Sequence, residues 1–302
     1  MKRRTFLNQT TVAAGALFIQ PAWKMMVGKA KHFKKLTILH TNDTHSNIDP
    51  FPANHAKYPN QGGVARRFDL IQRIKSEEEH VLVLDSGDIF QGTPYFNKYH
   101  GVLEMKLMSE LGYDASTMGN HDFDIGLEGF LNAKQHARFP FLCANYDFSE
   151  TLLKEHTQKH LVLERGGLKI GIFGLGVELK GLVPESNYGN TRYLDPIETA
   201  NQQAKELRLK GCDLVICLSH LGFEYKDDKV SDKVLASKTS GIHLILGGHT
   251  HTFLDKPFEA KNSEGELVLI NQAGYAGVQM GRLEYCLMNR KFVKHQVLEV
   301  KN

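Results

Sequence analysis

The sequence predicts an α/β domain, and three observations carry that expectation. Short, continuous apolar runs recur along the chain: Leu36-Thr37-Ile38-Leu39, Val81-Leu82-Val83-Leu84, Leu214-Val215-Ile216-Cys217-Leu218 and His243-Leu244-Ile245-Leu246. Runs of this length suit strands buried on both faces, as in sheets covered by helices. Stretches patterned as helices alternate with them over residues 63–78, 99–111, 127–137, 196–210 and 231–239, the element order of α/β folds. The chain then closes with residues 281–285 and 292–300 around Asn289-Arg290, a pattern that predicts a hairpin.

The alternation continues from Leu36 to Val300 with no low-complexity linker and no internal repeat. A single domain over residues 31–302 is therefore expected, although the length alone would allow two.

Each strand run is followed at once by residues suited to hold a metal. These are His40-Thr41-Asn42-Asp43-Thr44-His45, Asp85-Ser86-Gly87-Asp88, Ser219-His220 and Gly247-Gly248-His249-Thr250-His251, with Gly119-Asn120-His121-Asp122 as a further segment. In sheets of this kind, sites form beyond the carboxyl ends of the strands, so four strand ends deliver polar groups to one rim. Imidazole, carboxylate and amide oxygen are hard-to-borderline donors that suit Zn, Mn or Fe, and no thiolate is among them. A carboxylate shared by two ions about 3.5–4 Å apart is the core of a two-metal hydrolase. Asp88, alone after its strand, is the candidate for that bridge. Singly, these residues have plain structural readings, Asn120 as a turn residue and Asp43 or Asp88 as helix caps; five segments in order outweigh them. His160 and His295 are assigned no role. The glycine-rich Gly171-Ile172-Phe173-Gly174-Leu175-Gly176 lacks the spacing of a dinucleotide fingerprint and reads as a strand and its exit.

Taken in order, Asp43-Thr44-His45, Gly87-Asp88, Gly119-Asn120-His121-Asp122, Ser219-His220 and Gly248-His249-Thr250-His251 resemble the five motifs of the calcineurin-like metallophosphoesterases. Residues 40–45, 119–124 and 219–222, and Gly274-Tyr275-Ala276-Gly277 leading to Gly281-Arg282-Leu283, are similar to the bacterial 5′-nucleotidase branch. The resemblance implies a four-layer αββα sandwich of two mixed β-sheets flanked by helices, the metallo-dependent phosphatase fold. It implies one metal held by Asp43, His45, Asp88 and His251, and a second held by Asp88, Asn120, His220 and His249. His121 corresponds to the family's transition-state histidine and Asp124 to the carboxylate that orients it. Gly92-Thr93-Pro94 resembles a positioning loop near the metals.

The implied activity is that of a metal-dependent phosphoric ester hydrolase with two divalent ions (Zn, Mn or Fe). A phosphomonoesterase of 5′-nucleotidase type is expected, acting on nucleotides or related phosphate esters by in-line attack of a hydroxide held between the ions. A 2′,3′-cyclic nucleotide phosphodiesterase is the alternative, and a non-catalytic metal-binding subunit a third reading, which would be marked by a lost ligand. Relatives in that branch usually continue into a second domain that grips the nucleotide. This sequence stops at Asn302, so either small phosphoesters are accepted with little base selectivity or a separate polypeptide supplies a 5′-nucleotidase C-terminal domain.

The N-terminus carries its own signal. Arg3-Arg4-Thr5-Phe6-Leu7, an apolar stretch from Thr10 to Ile19 and then Pro21-Ala22 resemble a twin-arginine export signal. Residues 1–30 are therefore expected to be signal peptide and linker, and the protein to be periplasmic or in the cell envelope. Ten apolar residues are too few to span a bilayer, which takes about 20. The formal charge of +3 falls to zero without residues 1–22, whose only charged side chains are Lys2, Arg3 and Arg4. Nucleic-acid binding thus has no electrostatic support. Cys143, Cys212, Cys217 and Cys286 show no metal-binding spacing and are expected to be buried free thiols.

Overall fold

The computed structural model describes residues 35–301. β1 (Lys35–Thr41) is followed by α1 (Val64–Glu77), β2 (Val81–Asp85), α2 (Pro94–Tyr99), α3 (Val102–Leu111) and the two-residue β3 (Ala115–Ser116). A 3-10 turn (His121–Phe123) leads into α4 (Gly126–Lys134), β4 (Tyr146–Asp147), β5 (His160–Arg165), β6 (Leu168–Leu175), α5 (Glu185–Tyr188) and β7 (Arg192–Tyr193). The remainder runs α6 (Pro196–Leu209), β8 (Leu214–Ser219), α7 (Asp232–Lys238), β9 (Leu244–Gly247), β10 (Phe258–Lys261), β11 (Leu267–Asn271), β12 (Gln279–Cys286) and β13 (Lys291–Glu299).

Two mixed sheets result. One has the order β13-β12-β1-β2-β3 and the other β10-β11-β9-β8-β6-β5; β4 and β7 form a small separate ribbon. β1, β2 and β3 run parallel, as do β6, β8, β9 and β11, while β12, β13, β5 and β10 are antiparallel additions. The predicted hairpin is the β12–β13 pair, with its register shifted between Glu284 and Tyr285.

Strand alternation accounts for the layers, because successive side chains point to opposite faces. Leu36, Ile38, Leu82 and Leu84 of one sheet share a core with Ile170, Ile172, Leu214, Ile216, Leu218, Leu244 and Leu246 of the other. The intervening residues Leu39 and Val83 face a second core with Ile71 and Ile74 of α1 and Met105 and Met108 of α3. Val215, Cys217 and Ile245 face a third core with Ala200, Ala204 and Leu207 of α6 and Leu235 and Ala236 of α7. Three apolar interfaces separate four layers, the αββα arrangement expected from the resemblance.

Local signals set the helix ends. The Asp195 side chain accepts from Glu198 N ahead of Pro196 at the first turn of α6, and Ser231 caps α7 through Val234 N. The helix expected over residues 99–111 begins at Val102 as α3, and Tyr99 instead ends the separate helix α2. His100 and Gly101 sit between them at φ 47° and 81°, and a side chain at Gly101 would run into the Phe90 ring, so the chain turns there instead of continuing the α2 axis. All four cysteines are buried free thiols. Among the described residues no helix is long and apolar enough to cross a membrane. The export signal and linker expected over residues 1–30 lie outside the described residues.

Candidate metal centre

The loops after β1, β2, β3, β8 and β9 carry all seven predicted ligands to one edge of the sandwich, with contributions from both sheets. The third of these strands was not legible as a strand, since β3 pairs over only Ala115–Ser116. Six of the seven residues fall into two compact donor groups, Asp43 with His45 and His251, and Asp88 with His220 and His249. His251 Nε2 lies 3.3 Å from Asp43 Oδ1 and 3.1 Å from His45 Nε2. His220 Nε2 lies 3.1 Å from Asp88 Oδ2 and 3.9 Å from Asp43 Oδ1. His45 Nε2 lies 3.7 Å from Asp88 Oδ2, which joins the two groups through Asp88.

The donor set fits divalent ions on two grounds. First, His220 Nε2 and Asn120 Oδ1 are buried without a hydrogen-bond partner, and unpaired buried polar atoms are costly. His220 Nδ1 lies 2.6 Å from Ser86 O, a bond in which the ring nitrogen donates, so the Nε2 lone pair faces the Asp88 carboxylate. Likewise His45 Nδ1 lies 3.1 Å from both Phe90 O and Gln91 O, which leaves its Nε2 lone pair toward His251. Backbone partners of this kind set the tautomer of ligating histidines. Second, the group holds excess negative charge. Burial pushes the His220 imidazole down, but the Asp88 and Asp43 carboxylates override it and hold it up at about 10. A cluster that would otherwise retain a proton at neutral pH is one that favours a cation.

The backbone is held in uncommon geometry to present these groups. Asp43, His45, Asp88, His249 and His251 all have positive φ, between 46° and 74°, a region that non-glycine residues enter only when their surroundings require it. Gly119 and Gly248 let the chain pass close to the donors. A Cβ on Gly119 would collide with Asp88 Oδ1 and His220 Nε2, and one on Gly248 would crowd His220, Ser86 O and Asp43 Oδ2.

Three supporting residues were not singled out from sequence. Asp122 is fully buried and accepts from Asp88 N at 3.0 Å, Ile89 N at 3.0 Å, Phe90 N at 3.3 Å and Gly119 N at 2.8 Å, tying the loop after β2 to the loop after β3. Gln272 donates to Gly248 O at 2.8 Å and accepts from Thr252 N at 3.1 Å, bracing both ends of the His249–His251 turn. Asn42 bonds Asp43 Oδ2, Gly274 O and Ala273 N. Asp122 and Asn42 lie inside recognised segments, whereas Gln272 has no signal beyond being a polar residue near one.

His121 stands beside the donors with a different role open to it. Its amide donates to Asp88 Oδ1 at 2.8 Å, and its Nδ1 lies 2.8 Å from Asp124 Oδ2. The hydrogen bond to Asp124 raises its pKa, against the opposing effect of partial burial. The His121 side chain is 37% exposed where that of His220 is fully buried, so His121 is the one of the two that a substrate can reach. His160 belongs to neither donor group and is bonded to Gln203 through Nδ1.

Comparison with known proteins places the domain. Residues 36–253 match the family model described as calcineurin-like phosphoesterase. The chain is 34% identical over 270 residues to snake venom 5′-nucleotidase from Gloydius brevicauda, covering 82% of this chain and 45% of that protein. It is 35% identical over 272 residues to rat (Rattus norvegicus) 5′-nucleotidase, covering 83% of this chain and 46% of that one. The chain thus spans less than half the length of these relatives. A solved 5′-nucleotidase precursor from Thermus thermophilus superposes with a TM-score of 0.80 at 35% identity, over 88% of this chain and 54% of the other. With five loops that carry candidate metal ligands converging on the rim of an αββα sandwich and a family match that runs through all of them, this chain belongs to the calcineurin-like phosphoesterase family, the metal-dependent hydrolases of phosphate esters.

Proposed function

We propose that the domain, taken as residues 31–302, is a phosphomonoesterase of 5′-nucleotidase type that hydrolyses nucleotides or related phosphate esters with two divalent ions. The observation that carries this reading is the His121–Asp124 pair, accessible and immediately beside two joined donor groups. Asp43, His45, Asp88 and His251 would hold one ion, and Asp88, Asn120, His220 and His249 the other. When bound, the ions would supply Lewis-acid neutralisation of the phosphate charge and lower the pKa of the attacking water.

The chain's own residues divide the remaining work. Asp124 accepts a hydrogen bond from His121 Nδ1, fixing the ring and favouring its protonated form. Nε2 of His121 is then left to donate a proton to the departing alkoxide oxygen, a general-acid role. The amide of His121 bonded to Asp88 Oδ1 keeps that ring in register with the donor groups. Asp122 and Gln272 hold the loops so that little rearrangement is required of the ligands.

The same reading takes residues 1–30 as a twin-arginine export signal and linker, on Arg3-Arg4 and the apolar stretch that follows, and sets the enzyme in the periplasm or cell envelope. A separate polypeptide carrying a nucleotide-gripping domain is the protein partner it admits. Hydrolysis by chelator-stripped protein restored with Mn or Zn tests the activity, using AMP, a cyclic nucleotide and an aromatic phosphate ester. Ion-dependent turnover of AMP that collapses in His121→Ala and Asp88→Ala is the expected result. Turnover of the cyclic nucleotide alone would replace the phosphomonoesterase by a phosphodiesterase, and no turnover with either ion would contradict both.

A further inference from the structure

An unbroken series of aromatic rings leads away from the metal centre. His251, a member of the first donor group, stacks on Tyr275 at 4.9 Å and 22°. Tyr275 lies 6.4 Å from Tyr58, and Tyr58 stacks on Phe253 at 5.9 Å and 26°. Phe51 and His55 back Tyr58 from within its own loop, at 5.6 Å and 5.9 Å. That loop is closed at its base by Phe51 N donating to Gln61 O at 2.8 Å, and braced inside by Tyr58 N donating to His55 Nδ1 at 2.9 Å. Phe253 follows His251 by two residues on the braced turn, and its ring packs on Gly274, where a Cβ would collide with it.

Two features set this stack apart from core packing. Phe253 remains 37% exposed, so its ring is not consumed by the fold. Lys57 Nζ also sits 5.1 Å from the Tyr58 ring and 5.8 Å from the Phe253 ring, placing a positive charge on the same patch. Aromatic faces next to a cation recognise a planar ring that carries an anionic group.

We propose that Tyr58 and Phe253, with Lys57, form a subsite that holds a planar aromatic leaving group, in effect a nucleobase, while its phosphate is at the Asp43 side of the metal centre. This rests on the phosphomonoesterase reading and adds a source of base selectivity within the domain itself. A loop that served only to shield the centre would contribute stability without distinguishing substrates, and that difference makes the proposal testable.

The test compares kcat/KM for AMP with that for ribose 5-phosphate, which carries the same ester without the base. Wild type should prefer AMP, and Tyr58→Ala and Phe253→Ala should each lower that preference about tenfold, the scale of one lost base-stacking ring. Tyr58→Phe should restore it. A second readout is saturation-transfer NMR of adenosine on chelator-treated protein. Saturation transfer to the base protons is expected for wild type, reduced in Tyr58→Ala. An AMP preference that is absent in wild type, or unchanged in both alanine variants, overturns the subsite while leaving the phosphoesterase intact. If neither ester is turned over with any ion, the activity reading fails and the NMR readout decides alone. Transfer to adenosine that weakens in Tyr58→Ala then supports the subsite, and no transfer in wild type overturns it.

Discussion

His45 and His251 lie 206 positions apart in the chain, yet their Nε2 atoms stand 3.1 Å from each other, and that of His251 is 3.3 Å from Asp43 Oδ1. With His45 Nδ1 turned to the Phe90 and Gln91 carbonyls, the lone pair of its Nε2 converges with the Asp43 carboxylate and His251 Nε2. Such an arrangement is repulsive among its members and becomes favourable around a cation. The first candidate donor group thus draws on two loops, one leaving each sheet, with Asp88 on a third loop beside it.

Asp122 acts on the centre through its neighbours. Its carboxylate satisfies four backbone N–H groups from two loops, and burying those donors unpaired costs about 1–3 kcal/mol each before relaxation. Asp122→Ala is expected to lower unfolding free energy by about 3 kcal/mol in urea titration. It should also reduce kcat, because Asp88 and His121 lose their common brace. Unchanged stability would show that the loops are held by something else.

Gly119 is a steric requirement of the second donor group. Its Cβ would fall on Asp88 Oδ1 and His220 Nε2, so Gly119→Ala is expected to displace donors without imposing a forbidden φ. The predicted outcome is a loss of about 10²-fold in kcat/KM, the scale reached by misplacement of about 1 Å, together with weaker Mn binding. Retention of wild-type kinetics would show that the loop shifts freely.

His40 makes stability depend on acid. It is fully buried, its Nε2 accepts from Asn271 Nδ2 at 2.8 Å, and its Nδ1 has no partner. Burial pushes its pKa down from 6.5 to about 3. Between those values the unfolded chain binds a proton that the folded chain refuses, so stability is full above pH 6.5 and falls as the pH drops toward 3. The loss amounts to about 2 kcal/mol at pH 5. His40→Gln keeps an acceptor for Asn271 and should flatten that acid limb in thermal unfolding measured from pH 7 to pH 4. An identical slope in the variant would assign the acid sensitivity elsewhere.

His121 and Asp124 should separate rate from binding. His121→Ala is expected to reduce kcat by about 10²–10⁴-fold, the contribution of a positioned proton donor. The hydrogen bond to Asp124 raises the His121 pKa, which keeps the protonated ring populated to higher pH. Asp124→Asn should therefore move the alkaline limb of the kcat profile to lower pH. A limb that stays in place would mean that another group titrates there.

Much of this was legible in the chain because the signals were local. The apolar runs at Leu36, Val81, Leu214 and Leu244 are long enough to read as strands, and each is followed directly by its donor, so the rim could be drawn from the chain alone. β3 escaped because two residues carry no periodicity. The helix break at His100-Gly101 depends on Phe90, which belongs to neither helix. Positive φ at Asp43, His45, Asp88, His249 and His251 falls on residue types that tolerate it better than most, but those types are also common elsewhere in the chain and do not mark it. The bracing by Asp122 and Gln272, and the ring series through Tyr58, Phe253 and Tyr275, join segments far apart in the chain, where a single sequence gives no register.

Calorimetric titration of Mn into chelator-stripped protein tests the two-ion centre most directly. Two ions per chain are predicted for wild type, with His220→Ala losing one of them and Asp88→Ala weakening both, since Asp88 lies between the groups. A single ion in wild type, or an Asp88→Ala titration that matches wild type, would contradict the account.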